Sequence, residues 1–103
     1  MEVVFQAHNA VISDRMKERA SRALSKIARR LEDVVDATVR FNQDGPRRRV
    51  EIKLHAAGHR NFVAEGESRY YGPALNTAIT HLEAQVTRDK GDSKHDGHTV
   101  TRT

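Results

Sequence analysis

Apolar positions along the chain recur with two periods, alternating in some stretches and spaced by three and four in others. That switch sets the order of elements. Val3, Phe5 and Ala7 alternate with Val4, Gln6 and His8, which predicts a first strand over residues 2–8. Met16, Ala20, Ala23, Leu24, Ile27 and Leu31 then share one side of a helical wheel, predicting a helix over 13–31. Ser13 or Asp14 caps its start, because a short side-chain oxygen satisfies the first free backbone N–H groups. Residues 33–36, AspValValAsp, read as the turn out.

Ala37, Val39 and Phe41 make one face of a second strand over 37–42. GlnAspGlyPro at 43–46 is a reversal signal, since Gly45 tolerates positive φ and Pro46 fixes its own. A third strand over 49–57 turns Val50, Ile52, Leu54 and Ala56 inward, and a fourth over 61–67 places Phe62 and Ala64 on one face. Pro73 suits the first turn of a second helix, whose apolar stripe is Leu75, Ala78, Ile79, Leu82 and Val86. Beyond Lys90 one aliphatic residue remains and no periodicity, so 91–103 is expected to be a disordered tail after a single domain over 1–90. The order β-α-β-β-β-α predicts an α+β fold: a four-stranded sheet with two helices on one face. Strands two to four form a meander, and strand one runs parallel to strand two through a right-handed crossover.

Charge changes this picture. The 103 residues hold 18 Lys and Arg against 14 Asp and Glu, a modest net charge of +4 that by itself implies no polyanionic partner. Its placement does. Arg15, Arg19, Arg22, Lys26 and Arg29 follow at intervals of four, three, four and three. At 100° per residue they point within about 40° of one direction, away from the apolar stripe, in a row about 20 Å long. Such a row attracts phosphate, because each neutralised charge releases condensed counterions and a guanidinium contacts phosphate oxygens as a planar fork. Arg30, Arg88, Lys90 and His81 extend the candidate surface. Arg47, Arg48 and Arg49 follow the hairpin turn, where they either reach a second backbone segment or protect an edge strand. Lys53 and His55 lie on the open sheet face, as secondary RNA contacts or simply solvated. Tyr70 and Tyr71 either stack on a base or anchor the start of helix two.

Several classes of chemistry find no support. No Cys means no disulfide, thiolate nucleophile or Cys-bound metal. No apolar run approaches the roughly 18 residues of a membrane span, and the N-terminus lacks the pattern of a secretory signal, so a cytoplasmic protein is expected. His95 and His98, with Asp92 and Asp96, resemble a metal set only superficially, because a flexible tail preorganises nothing. His8 and His59 have no acid or nucleophile beside them in sequence. No Gly-rich phosphate loop or acid–base pair recommends an enzyme, a cofactor or a small-molecule substrate.

The segments ValIleSerAspArgMetLys (11–17), LeuSerLysIle (24–27), ValGluIleLysLeuHisAlaAlaGly (50–58), ValAlaGluGly (63–66) and LeuGluAlaGlnValThrArgAspLys (82–90) stand in the order and spacing of a known family. Over residues 1–90 the chain resembles the short ribosome hibernation promoting factors, with the ribosome-associated inhibitor and proteins once named for sigma-54 modulation. The resemblance implies two parallel helices on a four-stranded sheet, like a double-stranded-RNA-binding domain with an added strand. It implies binding to the small ribosomal subunit and its rRNA near the decoding channel, with inhibition of translation in stress or stationary phase and no catalysis. A protein monomeric when free is expected. TyrTyrGlyProAlaLeuAsn (70–76) departs from the family's start of helix two, with Gly72 in the usual Tyr slot. Two further basic positions of the family's second helix align with His81 and Ala84, so the resemblance implies a helix two less cationic than the family norm, and a helix one more so. The long form's C-terminal dimerisation domain is not expected here. The competing reading is a basic protein-interaction module docking on an acidic partner protein.

Overall fold

The computed structural model describes residues 1–57 and 60–96, with Arg60 and 90–96 described by backbone only. Its elements are β1 (Glu2–His8), α1 (Asp14–Ala28), β2 (Val34–Asp44), β3 (Arg47–Ala56), β4 (Arg60–Ser68) and α2 (Tyr71–Asp96). The sheet order is β1-β2-β3-β4, with β1 parallel to β2 and the other neighbours antiparallel, as the sequence pattern predicts.

Register turns the alternation into a core. Phe5, Val39, Ile52 and Ala64 lie side by side across the four strands, and Ala7, Phe41, Val50 and Gly66 form the next row. Ala20, Leu24 and Ile27 of α1 and Ala74, Leu75, Ala78, Leu82 and Val86 of α2 close over these rows. Among the described residues the core contains no buried polar or charged residue. It is therefore held by apolar burial, at roughly 1.5–3 kcal/mol for each large aliphatic side chain.

Three boundaries differ most from expectation, and the β2–β3 hairpin strands also run two residues further into the turn, to Asp44 and from Arg47. Helix α1 begins as predicted, with the Ser13 side chain accepting the Met16 N–H at 3.1 Å. It ends at Ala28, not Leu31, because Arg30 N–H and Leu31 N–H bond back to Ile27 and Ala28 carbonyls in a tightened last turn. Arg29 becomes the cap, and Leu31 folds against the core. Residues 34–36 are strand, not turn: Val35 is the extra residue of a bulge between Val34 and Asp36, which lets β2 start earlier. Helix α2 passes Lys90 and reaches Asp96, replacing the expected tail over 91–96. Gly91 costs about 1 kcal/mol but no Pro follows to stop propagation. Residues 97–103 lie outside the described residues.

At Gly66 the backbones of α2 and β4 approach closely. A Cβ on Gly66 would stand 2.0 Å from the Ala74 carbonyl oxygen, 2.7 Å from the Ala78 nitrogen and 2.9 Å from the Thr77 Cβ. Only hydrogen at this position lets the helix backbone rest on the strand. Further along, α2 is laced to the strand's carbonyls. His81 Nδ1 donates to the Glu65 carbonyl at 2.9 Å and Gln85 Nε2 to the Val63 carbonyl at 2.5 Å. The geometry fits because four helical residues rise about 6 Å, close to two residues of strand.

Tyr71 fixes the start of α2, taking the anchoring alternative. Its ring meets Phe41 edge-on at 5.5 Å and lies under the Arg48 guanidinium, 5.6 Å away. Its hydroxyl is buried without a hydrogen-bond partner among the described residues. Burial raises its pKa above the ordinary phenol value, against the smaller opposing pull of Arg48.

Two outcomes are expected in thermal or urea unfolding. Gly66→Ala destabilises by about 3 kcal/mol, the upper end for overpacking, because both nearest neighbours are backbone. Tyr71→Phe removes an unsatisfied polar group and stabilises by about 1 kcal/mol. Its advantage widens above about pH 10, where the unfolded wild-type chain ionises the phenol and the folded chain resists.

Candidate nucleic-acid interface

The two helices run in the same direction and are tied at two levels. Arg19 Nη2 donates to Asn76 Oδ1, and Arg30 Nη2 donates to Thr87 Oγ1 at 2.6 Å. Both pairs are separated by 57 residues, so one register holds along the whole contact. Two candidates for phosphate contact thus have a second task, joining α1 to α2, and Arg30 does so from the turn after the helix. Arg19 also passes over the first turn of α2, with Nη1 3.6 Å from where a Gly72 Cβ would stand. Asn76 and Thr87, unremarkable in the sequence, become identifiable only once the helices are placed.

The other cations of the row remain outward. Arg15, Arg22, Lys26 and Arg29 are all exposed. Arg22 approaches Glu18 at 3.2 Å, with both side chains open to solvent at 74% and 67%. An exposed pair one turn apart contributes a few tenths of a kcal/mol and yields to a stronger anion. Arg15, Lys26 and Arg29 enter none of the ion pairs among the described residues.

On the second helix the described candidate residues face away from the α1 row. His81 spends Nδ1 on β4. Arg88 is exposed and lines a shallow depression with Val63, Glu65, His81, Ala84 and Gln85, on the β4 flank of α2. Thr87, which faces α1, is about 100° away on the wheel. Arg88 therefore extends the cationic surface around α2 and does not converge with the α1 row. The Lys90 side chain lies outside the described residues, as do those of Asp92, His95 and Asp96; His59 and His98 lie outside them altogether.

On the opposite side, register matches cations with acids. Glu51 stands directly opposite Glu65, and that like-charge pair is relieved by Arg40 on one side (3.9 Å to Glu51) and Arg49 on the other (3.7 Å to Glu65). Arg47 lies 3.6 Å from Glu67, and His55 lies 3.8 Å from Asp36. Arg48 points to the helix side, where Nη1 donates to the Arg69 carbonyl at 2.7 Å. The three consecutive arginines thus serve the sheet and the start of α2. Lys53 stays exposed on this face beside Thr38 and Val63. Arg69 and Tyr70, both exposed at the approach to α2, add a cation and an aromatic ring at that end of the helix; Tyr70 is 67% open. Arg69 was not singled out in the sequence because it falls between elements, outside any periodic row.

No His/Cys/Asp/Glu group suited to a metal ion occurs among the described residues, and no helix among them is long and apolar enough to cross a membrane. The arrangement suits binding: one half of the molecule carries exposed cations, the other compensated charge.

Comparison with known proteins agrees with this architecture. A ribosomal subunit interface protein from Coxiella burnetii superposes with a TM-score of 0.79 at 18% identity, over 88% of this chain and 99% of the other. The N-terminal domain of Protein Y from Thermus thermophilus gives 0.71 at 24% identity, over 84% and 93%. No curated protein matches the chain. The sequence pattern of sigma 54 modulation protein / S30EA ribosomal protein matches residues 3–94, nearly the whole described length, and the chain belongs to that non-enzymatic family.

Proposed function

We propose that this protein is a ribosome hibernation factor: it docks on the small ribosomal subunit near the decoding channel and inhibits translation in stress or stationary phase. The observation that carries the reading is the division of charge. Among the described residues, the sheet-face cations other than Lys53 have an acidic group at 3.6–3.9 Å, whereas Arg15, Lys26 and Arg29 on the helix layer enter no ion pair and Arg22 only an exposed, weak one. Family membership and the name of the Coxiella relative support the ribosome as the place of action. In this reading Arg15, Arg22, Lys26 and Arg29 grip rRNA phosphates. Arg19 and Arg30 hold the two helices together while presenting their remaining N–H groups, and Arg88 reaches a further backbone segment. Phosphate contacts position without reading bases. Specificity then comes from the shape of a rigid two-helix plate against folded rRNA. The protein acts in the cytoplasm, by occupancy, with no cofactor.

Binding to purified small subunits is expected to weaken with salt. Five phosphates at about 0.7–0.9 released ions each give a slope of log K against log salt between about −3.5 and −4.5. A flat response rules out this surface as the contact. Replacing both Arg22 and Lys26 by Glu is expected to abolish co-sedimentation with small subunits. Both side chains are exposed, so the circular dichroism melt should stay within about 0.5 kcal/mol of wild type. Excess unrelated RNA distinguishes this reading from an acidic protein partner, because only the RNA-bound form is displaced efficiently.

A further inference from the structure

The two edges of the sheet are treated differently. On β4, α2 lies alongside and its side chains occupy the Glu65 and Val63 carbonyls. On β1, no hydrogen bond among the described residues reaches the side away from β2. Nor does β1 carry the usual safeguards of a free edge, having no Pro, no Lys and only Glu2 as a formal charge. Exposed apolar side chains gather at this margin: Met1 at 47%, Val4 at 40% and Val11 at 98%. Val3, Phe5, Ala10, Ile12 and Met16 behind it are only partly buried.

We propose that β1 is a self-association edge, through which two copies pair antiparallel into one eight-stranded sheet. This goes beyond the ribosome reading and replaces the free monomer expected from the sequence. The strand is complementary to itself in one register. With Phe5 facing its own counterpart, Val3 of each copy meets Ala7 of the other, Val4 meets Gln6, and Glu2 meets His8. Glu2 also lies beside Asp36 in β2, so an acidic pair at one end of the edge awaits a cation across it. Charge thus selects this register, and a closed two-fold pair uses up both edges so that no filament grows.

The helices permit the approach. A two-fold axis perpendicular to the sheet leaves both helix layers on the same side, with the two α1 helices as neighbours. Arg19 identifies the flank of α1 that meets α2. The opposite flank, which would face its counterpart, carries the small residues Ser21, Ser25 and Ala28, with Asp14 and Lys17 of opposite charge at its N-terminal end. The arginine row points away from the sheet and does not meet itself.

Sedimentation velocity over a concentration series tests the pairing with the full chain and three variants: Glu2→Lys, His8→Glu and the double exchange. Wild type is expected to shift from the mass of one copy to that of two. Each single variant should weaken the pair about tenfold, through two symmetry-related contacts per dimer. The double exchange should return it to near the wild-type value. Backbone amide exchange in β1 should slow as concentration rises, while amides of the exposed faces of α1 and α2 stay unchanged. A single-copy mass up to millimolar concentration overturns the proposal. So does a dimer indifferent to both single substitutions, or one whose protection appears on the helices instead of β1. All positions altered are exposed and outside the proposed ribosome surface, so failure here leaves that reading standing.

Discussion

The contact between the backbone of α2 and β4 at Gly66 is the constraint on which the other placements rest. A side chain there would hold the helix away from the sheet. Leu75, Leu82 and Val86 would then lose their depth in the core, and His81 and Gln85 could no longer reach the strand's carbonyls. With α2 seated, Asn76 and Thr87 are presented at the height of Arg19 and Arg30, so α1 is located in turn. The helix layer is thus positioned by a glycine that touches none of the cations.

Much of this was legible in the sequence, for a definite physical reason. Strict alternation in Val50, Ile52, Leu54 and Ala56 and three-four spacing in Leu75, Ala78, Leu82 and Val86 each admit one element type facing one core. A Gly-Pro turn then leaves little freedom in how neighbouring strands pair. Boundaries were less legible. Helix α1 stops where its last turn tightens, without Gly or Pro to announce it. The bulge at Val35 lengthens β2 through a backbone adjustment that residue type does not mark. Over 91–96 helix persists without apolar periodicity, so a pattern-based reading had nothing to detect.

The site divided along a different line. That α1 carries exposed cations follows from spacing alone, and the fold keeps Arg15, Arg22, Lys26 and Arg29 outward. What each cation touches depends on residues far away in sequence. Arg49 and Arg47 meet Glu65 and Glu67 only because β3 and β4 pair in one register, and Arg48 turns to Tyr71 because neighbouring strand residues face opposite sides. His81 aligns with a basic position of the family, yet it stands over an edge carbonyl whose need for a donor is visible only in three dimensions. The spacing of the cations identified the surface, and tertiary placement decided which charges remain available.

One consequence of the shared helix direction concerns polarity along the layer. Peptide dipoles of α1 and α2 add, so both N-termini bring partial positive charge to the same end, where Arg15, Arg19 and Arg69 already stand. At the far end the negative pole of α1 lies near Lys26, Arg29 and Arg30 and offsets part of their charge, whereas that of α2 lies about two turns beyond Arg88. The layer is therefore a graded attractor, steepest at the end where both helices begin. A polyanion sliding along it meets a preferred direction, and the molecule is oriented before any close contact is made.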